Sequence, residues 1–304
     1  MFASLLVAVL AAAQAVTIPL GKPGRQIERP IAPVETAGPV LDGACKDWDE
    51  WDKPAPPVRI FGNTYLVGTC GISAILITGS EGDILIDAGT EAGADLIARN
   101  IRSLGFRLED IKILLHSHEH LDHVGGMARL QQLTGAQLRA SPTAAAVFKT
   151  GAAGIGDPQA GMQKPFRAAR VGRIIQDGEQ VRLGDLALTA VTTPGHTPGA
   201  LSWQWTSCDG GVCRAIVYAD SLTAVSRADF RFADHPAQLA AFRASLGKVA
   251  GLDCDILLTP HPSASNMLAR LGGRAPLENP RACRDYAAKL TSQLDERLAK
   301  EAVK

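Results

Sequence analysis

The residues best equipped for chemistry lie together in the stretch His116-Ser-His-Glu-His-Leu-Asp-His-Val-Gly-Gly126. Four histidines and two carboxylates fall within eight positions, between the apolar run 111–115 and a glycine pair. The run reads as a buried strand and the glycines as the turn into a helix beginning near Gly126. The histidines then sit at the C-terminal end of a strand, where α/β folds place their sites. In an extended chain residues i and i+2 point the same way, so His118 and His120 can grip one metal ion from one side. Past the strand end the chain turns, and Asp122 and His123 can point to a second position nearby. Imidazole and carboxylate donors suit zinc, and a catalytic zinc keeps one place open for water.

Two further histidines stand at strand ends among residues that stiffen the backbone. His196, in Thr193-Pro-Gly-His-Thr-Pro-Gly199, follows the apolar strand 186–191. His261, in Thr259-Pro-His-Pro262, follows the strand 256–258. The prolines and glycines fix the backbone and so fix where each imidazole points. Together these histidines supply the ligands that two tetrahedral zinc ions would still lack. Asp87 ends another strand, 84–86, and is expected to hold a metal-bound histidine from behind by a hydrogen bond. His116 is expected to pack, and His235 to be a solvated loop residue or a helix cap.

The elements that must position these groups form a recurring pattern. Short strands at 58–61, 65–67, 74–77 and 84–86, separated by glycine-containing turns, predict a hairpin meander. A helix over 92–104, the motif strand, a helix over 126–133, a strand at 137–139 and a helix over 142–148 follow. Residues 150–170, with several glycines and two prolines, predict a long loop of the kind usually tied to function. A second meander reads at 174–175, 181–183, 186–191, 200–205 and 214–218. A helix over 238–249, a strand at 256–258 and a closing helix over 281–300 complete the chain. Strands followed by helix occur twice. That predicts an α/β fold, an αββα sandwich of two similar halves packed sheet against sheet, with helices outside and the metal site at the sheet edge.

The chain of 304 residues is 46% hydrophobic, enough for a large core. Its 31 basic and 31 acidic residues cancel, and no long basic block suggests nucleic acid, so a small-molecule substrate is expected. The apolar segment 1–15 ends in Ala13-Gln-Ala15 and reads as a secretory signal peptide cleaved near Ala15. It is too short to span a bilayer comfortably, and no later segment qualifies, so the mature chain is expected to be free of the membrane. Residues 16–57 read as an N-terminal arm whose Trp48 and Trp51 pack rather than bind, ahead of a domain at 58–304. The six cysteines suit an oxidising compartment. Cys208 and Cys213 bracket a probable hairpin turn, which makes local pairing natural, while the rest of the connectivity stays open.

With His118-x-His120-x-Asp122-His123, His196, His261 and Asp87 in this order, the chain resembles the metallo-β-lactamase superfamily over nearly all of its mature length. Within that superfamily it resembles the β-lactamases of subclass B3. The resemblance implies His118, His120 and His196 at one zinc and Asp122, His123 and His261 at a second. It implies disulfides Cys45–Cys70, Cys208–Cys213 and Cys254–Cys283. Ser221 stands where another subclass carries a cysteine ligand. Ser221 and Thr223 are implied to bind the substrate carboxylate, with Gln159 as a further contact. Asp220 is the equivocal position: lactonase- and glyoxalase-like relatives use an aspartate here to bridge metals, whereas the resembled subclass does not.

The implied reaction is hydrolysis of the β-lactam ring of penicillins, cephalosporins and carbapenems, giving antibiotic resistance. A hydroxide shared by two zinc ions about 3.5–4 Å apart would attack, with Asp122 positioning it and relaying its proton. The implied enzyme is exported, periplasmic or secreted, and monomeric. Another exported hydrolase of the same fold, a lactonase or thioesterase, is the alternative, and a non-catalytic zinc-binding domain a more distant one. No Ser-x-x-Lys set or Gly-x-Ser-x-Gly elbow offers a serine nucleophile instead.

Overall fold

The computed structural model describes residues 37–303. The segment read as a signal peptide and the first part of the arm lie outside the described residues. A helix α1 (Ala37–Ala44) comes first, followed by strands β1 (Val58–Phe61), β2 (Thr64–Leu66), β3 (Ile75–Gly79) and β4 (Gly82–Ile86). Helix α2 (Glu91–Ser103) leads to β5 (Ile111–Leu115), the one-turn helix α3 (Leu121–Val124), α4 (Met127–Thr134), β6 (Gln137–Ala140), α5 (Pro142–Thr150) and β7 (Val171–Ile174). The second part holds β8 (Gln180–Leu183), β9 (Leu186–Thr192), β10 (Leu201–Asp209), β11 (Val212–Tyr218), α6 (Pro236–Ala250), β12 (Ile256–Leu258), α7 (Met267–Leu271) and α8 (Ala282–Ala302).

The two sheets are built from consecutive stretches of chain. One runs β1-β2-β3-β4-β5-β6-β7, the other β12-β11-β10-β9-β8. In each, four strands in antiparallel succession are followed by a helix and then by a strand parallel to the fourth: β5 beside β4, and β12 beside β11. The expected repetition of strands and helix is therefore present as a ββββαβ order in both halves.

Alternation along the strands explains the layers. Ile75, Ile77, Ile84, Ile86, Ile113 and Leu115 face the second sheet, where they meet Leu188, Leu201, Trp203, Ile216 and Tyr218. The intervening Leu76, Leu85 and Leu114 face outward onto Ile97 and Ile101 of α2 and Met127 and Leu130 of α4. On the far side Val217 and Leu257 pack under Phe242 and Leu246 of α6 and Leu290 and Leu294 of α8. Helix α2 starts cleanly because the Thr90 side chain accepts from the Gly93 amide.

Two expectations need correction. The strand expected at 174–175, as the start of the second meander, is β7 at 171–174 and belongs to the first sheet, parallel to β6. Its short apolar pattern carried no information about which sheet it would join. The arm expected to be irregular contains α1, which packs through the buried Leu41 into the inter-sheet core. The remaining helix boundaries agree with the sequence reading to within a few residues.

All three implied disulfides are formed, with Cα–Cα distances of 5.2 Å for Cys45–Cys70, 4.0 Å for Cys208–Cys213 and 6.1 Å for Cys254–Cys283. They fit an oxidising compartment. No helix among the described residues is long and apolar enough to cross a membrane.

Candidate metal centre

The site lies where strands of both sheets end. The loop after β5 carries His118, His120, Asp122 and His123, the loop after β9 carries His196, and the loop after β12 carries His261. Residues far apart in the chain are thus brought to one place by the strand order alone.

His118, His120 and His196 form a near-equilateral triangle. Their ring centroids are 4.9, 4.8 and 4.9 Å apart and their planes are steeply inclined to one another. Each ring is held by the nitrogen that faces away from the triangle. His118 Nδ1 donates to Asp220 Oδ1 at 2.8 Å, and His120 Nε2 donates to Asp157 Oδ2 at 3.0 Å. His196 Nδ1 donates to the Thr223 carbonyl at 3.0 Å. His118 Nε2, fully buried, makes no hydrogen bond. Three imidazoles oriented from behind, with inner nitrogens turned toward one point, are what a zinc ion requires.

Asp122, His123 and His261 converge beside this triangle. His123 Nε2 lies 3.1 Å from Asp122 Oδ2 and 3.3 Å from His261 Nε2, and His261 Nε2 is 3.5 Å from the same carboxylate oxygen. His261 Nδ1 donates to the Gly71 carbonyl at 3.2 Å. Asp122 Oδ1 is buried and makes no hydrogen bond. One carboxylate oxygen and two imidazole nitrogens form a second donor set that suits the same metal.

The electrostatics keep most of these rings neutral and so able to ligate. Burial, then the neighbouring His120, pushes His196 down to about 3, and burial, then His123, pushes His261 down to about 4. Burial and four surrounding histidines hold His118 far below the usual range. Burial also pushes His123 down, but the adjacent Asp122 carboxylate more than offsets it and leaves it raised. Burial would raise Asp122, yet His123 beside it holds the carboxyl well below the ordinary value.

A cavity of about 340 Å³ opens over the two trios. Ser221 lines it with a buried hydroxyl that makes no hydrogen bond, and Gln159 places Nε2 3.3 Å from His196 Nε2. Thr223 lines it as well, but its hydroxyl lies 3.0 Å from His196 Nδ1 and is engaged with that ring.

Two readings of the sequence are corrected here. Asp87 was expected to hold a ligand histidine by a hydrogen bond. Its carboxylate instead accepts from Ser117 N, Ser117 Oγ and Tyr218 OH, each at 2.7 Å, and lies 3.7 Å from His123 Nδ1. The aspartates that bond first-triangle rings from behind are Asp220, at His118, and Asp157, at His120. Trp48 and Trp51 were expected to pack; they are 78% and 41% exposed and stand at the mouth of the cavity. His116 packs as expected: it is buried, edge-on to Phe148, with Nε2 accepting from the Ser141 amide. His235 is exposed at the start of α6, stacked on Phe230.

Sequence reasoning missed Asp157 and Glu119. Asp157 lies in the long loop flagged as functional, between a glycine and a proline, where a buried acid could not have been told from a turn residue. Glu119 is 1% exposed. The alternation that aims His118 and His120 at the metal aims Glu119 away from it, and that signal was available.

Comparisons with known proteins agree with this geometry. A family model for the metallo-β-lactamase superfamily matches residues 67–261. The solved structure of the MIM-2 metallo-β-lactamase is 57% identical, with a TM-score of 0.84, over 88% of this chain and 98% of that one. MEM-A1, a subclass B3 metallo-β-lactamase from a soil metagenome library, is 44% identical, with a TM-score of 0.81, over 84% of this chain and 99% of that one. Among curated sequences, the hydroxyacylglutathione hydrolase of Anaeromyxobacter dehalogenans is 30% identical over 51% of this chain and 50% of its own length. The chain spans about half the length, or less, of the curated relatives it matches. With the family model covering well over half of its residues, this chain belongs to the metallo-β-lactamase superfamily.

Proposed function

We propose that this protein hydrolyses the amide of β-lactam rings with two zinc ions per chain. His118, His120 and His196 would hold the first ion, and Asp122, His123 and His261 the second. The observation that carries the proposal is the convergence of these two donor sets beneath one cavity. The first trio is a metal-capable cluster, the second rests on the mutual approach of its three donors, and high identity to solved metallo-β-lactamases along their whole length supports the reading. Bound zinc supplies a Lewis acid and brings the pKa of water from about 15.7 to about 7.

The chain's own groups then have distinct tasks. Asp122 Oδ1, buried and without a hydrogen bond, orients the attacking water, takes its proton and passes it toward the departing ring nitrogen. The carbonyl carbon gains the water oxygen and loses the nitrogen, so no covalent enzyme intermediate is needed. The Ser221 hydroxyl, which lines the cavity without a hydrogen bond, would donate to the substrate carboxylate. Gln159 lines the same cavity and would be a further substrate contact, and Thr223 contributes chiefly by holding His196. Trp48 and Trp51 cover part of the cavity and limit water around the bound ring.

A second reading is hydrolysis of an acyclic thioester or a lactone. The match to a hydroxyacylglutathione hydrolase favours it. One panel separates the two readings: a penicillin, a chromogenic cephalosporin and a carbapenem, set against an acyl lactone and a glutathione thioester. Turnover confined to the β-lactams is expected. Turnover of the thioester or lactone alone would overturn the proposal, and no turnover of any substrate by zinc-loaded protein would leave only a zinc-binding domain. A chelator should abolish the activity and added zinc restore it, with two zinc ions per chain by metal analysis. The three disulfides support an exported enzyme, periplasmic or secreted. We assign it a monomeric state and a small-molecule substrate, with no nucleic-acid partner.

A further inference from the structure

We infer that Glu119 is a positioning residue: its carboxylate clamps the His196 loop onto the His118–His120 segment and so sets the size of the first metal triangle. The inference rests on the two-zinc reading and concerns a residue that touches neither the cavity nor the donor sets.

The argument starts from alternation. His118 and His120 face the triangle, so Ser117 and Glu119 turn into the protein. There Glu119 meets the loop after β9. Its Oε1 accepts from the Gly199 amide at 2.7 Å, and its Oε2 accepts from Thr197 Oγ1 at 2.6 Å. Thr197 and Gly199 flank the turn that His196 begins, and Thr197 is fully buried. Two residues further, the Leu201 amide donates to the Ser117 carbonyl at 2.6 Å. Both oxygens of one buried carboxylate are therefore spent on the loop that delivers the third imidazole. Charge-assisted bonds of this kind are short, strong and directional.

Gly199 makes the approach possible. A Cβ there would lie 2.6 Å from the Ala144 amide nitrogen and 2.7 Å from Glu119 Oε1. The Ser141 hydroxyl pins the same residue from the other side, donating to the Gly199 carbonyl at 2.6 Å. The His196 ring is thus located twice: by Thr223 at its own Nδ1, and by Glu119 through the backbone that carries it. Without Glu119 the ring would keep its orientation but lose its distance from His118 and His120.

The test is zinc affinity, read by competition with a chromophoric chelator, in two backgrounds of the full chain. His261→Ala leaves only the first donor set complete, and His196→Ala leaves only the second. In the first background Glu119→Ala should weaken zinc binding about 10- to 100-fold, the range seen when a ligand's outer partner is lost. In the second background it should leave binding unchanged. Glu119→Gln should stay close to the parent, because its amide can accept from Gly199 and donate to the Thr197 hydroxyl. Equal zinc affinity with and without Glu119→Ala in the first background would overturn the clamp, as would equal weakening in both backgrounds. So would a Glu119→Gln protein that falls as far as Glu119→Ala. If Glu119→Ala does not fold, Thr197→Val removes one arm of the clamp without changing side-chain shape. It should weaken the first site alone, and an unchanged affinity would again overturn the proposal. Failure of the unsubstituted protein to bind zinc would instead sink the metal reading itself.

Discussion

Each half of the molecule places an aspartate just past its fourth strand: Asp87 directly after β4, and Asp220 two residues after the end of β11. Each of these strands is the fourth of its meander, beside a parallel fifth. Each carboxylate serves the opposite half. Asp87 accepts the hydroxyl of Tyr218 from β11, whereas Asp220 holds the ring of His118 from the loop after β5. Their neighbours decide the difference. Ser117 and Tyr218 take the hydrogen bonds of Asp87 and leave His123 Nδ1 at 3.7 Å, while Asp220 Oδ1 bonds the His118 ring directly. Aspartates at corresponding strand ends, offset by one residue, thus carry different work, one fastening the halves together and one tuning a ligand.

Substitutions can break this division, and the largest effect lies at the donors themselves. Asp122→Ala should remove the second zinc and nearly all turnover while far-UV circular dichroism and melting stay close to the parent. Near-normal turnover with one bound zinc would contradict the two-metal site. Next in size, Asp220→Ala frees His118 Nδ1 and should lower zinc affinity at the first site about 10- to 100-fold, with little change in the melting of zinc-free protein.

Asp87→Ala should behave in the opposite way. It strands Ser117 N and Ser117 Oγ in the interior and leaves Tyr218 OH with only the long bond to the Ser73 carbonyl, at about 1–3 kcal/mol for each buried donor left unsatisfied. Urea unfolding should show the loss even in zinc-free protein. If Asp87→Ala instead cost zinc affinity and spared stability, the comparison would be reversed.

A smaller effect should appear with pH. Burial pushes His116 down from 6.5 to about 3. Its neutral form is the one folded protein accepts, so the stability it contributes is complete above about 6.5. As pH falls from there toward 3, the unfolded chain takes up a proton that the folded one refuses, and stability declines by about 1.4 kcal/mol per pH unit. His196 and His261 add to the same slope in zinc-free protein. His116→Gln should flatten the slope by one proton, measured by urea unfolding between pH 4 and 7.

The smallest effect should come from the hairpin disulfide. Cys208 and Cys213 already face each other in the β10–β11 register and are only 5 residues apart. Chain entropy gives roughly 2 kcal/mol for so short a loop, against roughly 3.5 for separations like the 25 and 29 residues of the other two bridges. Equal losses from all three would show that loop length is not what sets their value.

Much of this arrangement was legible in the sequence. The donors could be read because metal chemistry restricts residue type and strand geometry restricts spacing, as at His118 and His120. Histidines in proline- and glycine-stiffened loops, such as His196 and His261, carried a weaker version of the same signal. The halves could be read because apolar alternation and turn residues are local properties. What was not legible depends on pairing across the fold. Asp87 and Asp220 both sit at strand ends, and nothing near Asp87 in the chain announces that Tyr218 will claim it. Asp157 reaches His120 only because Arg227, seventy residues later, ties the long loop down through the carbonyls of Asp157 and Pro158. Trp48 and Trp51 looked like core aromatics because aromatic residues usually are.

The placement of those two indoles has a consequence for how the enzyme can change. They ride on a segment fastened by the Cys45–Cys70 bridge, by Asp49 accepting from Lys53 at 2.8 Å, and by Thr69 Oγ1 bonding the Trp51 carbonyl at 2.5 Å. None of these ties involves a metal donor. The same segment still rests on the site at one point: the carbonyls of Asp49 and Glu50 sit so close to Gly71 that no Cβ would fit there, and the Gly71 carbonyl holds His261 Nδ1. Exchange of the exposed indoles can therefore alter which substituents are admitted, whereas a shift of the backbone at 49–50 would carry through Gly71 to the ring beneath.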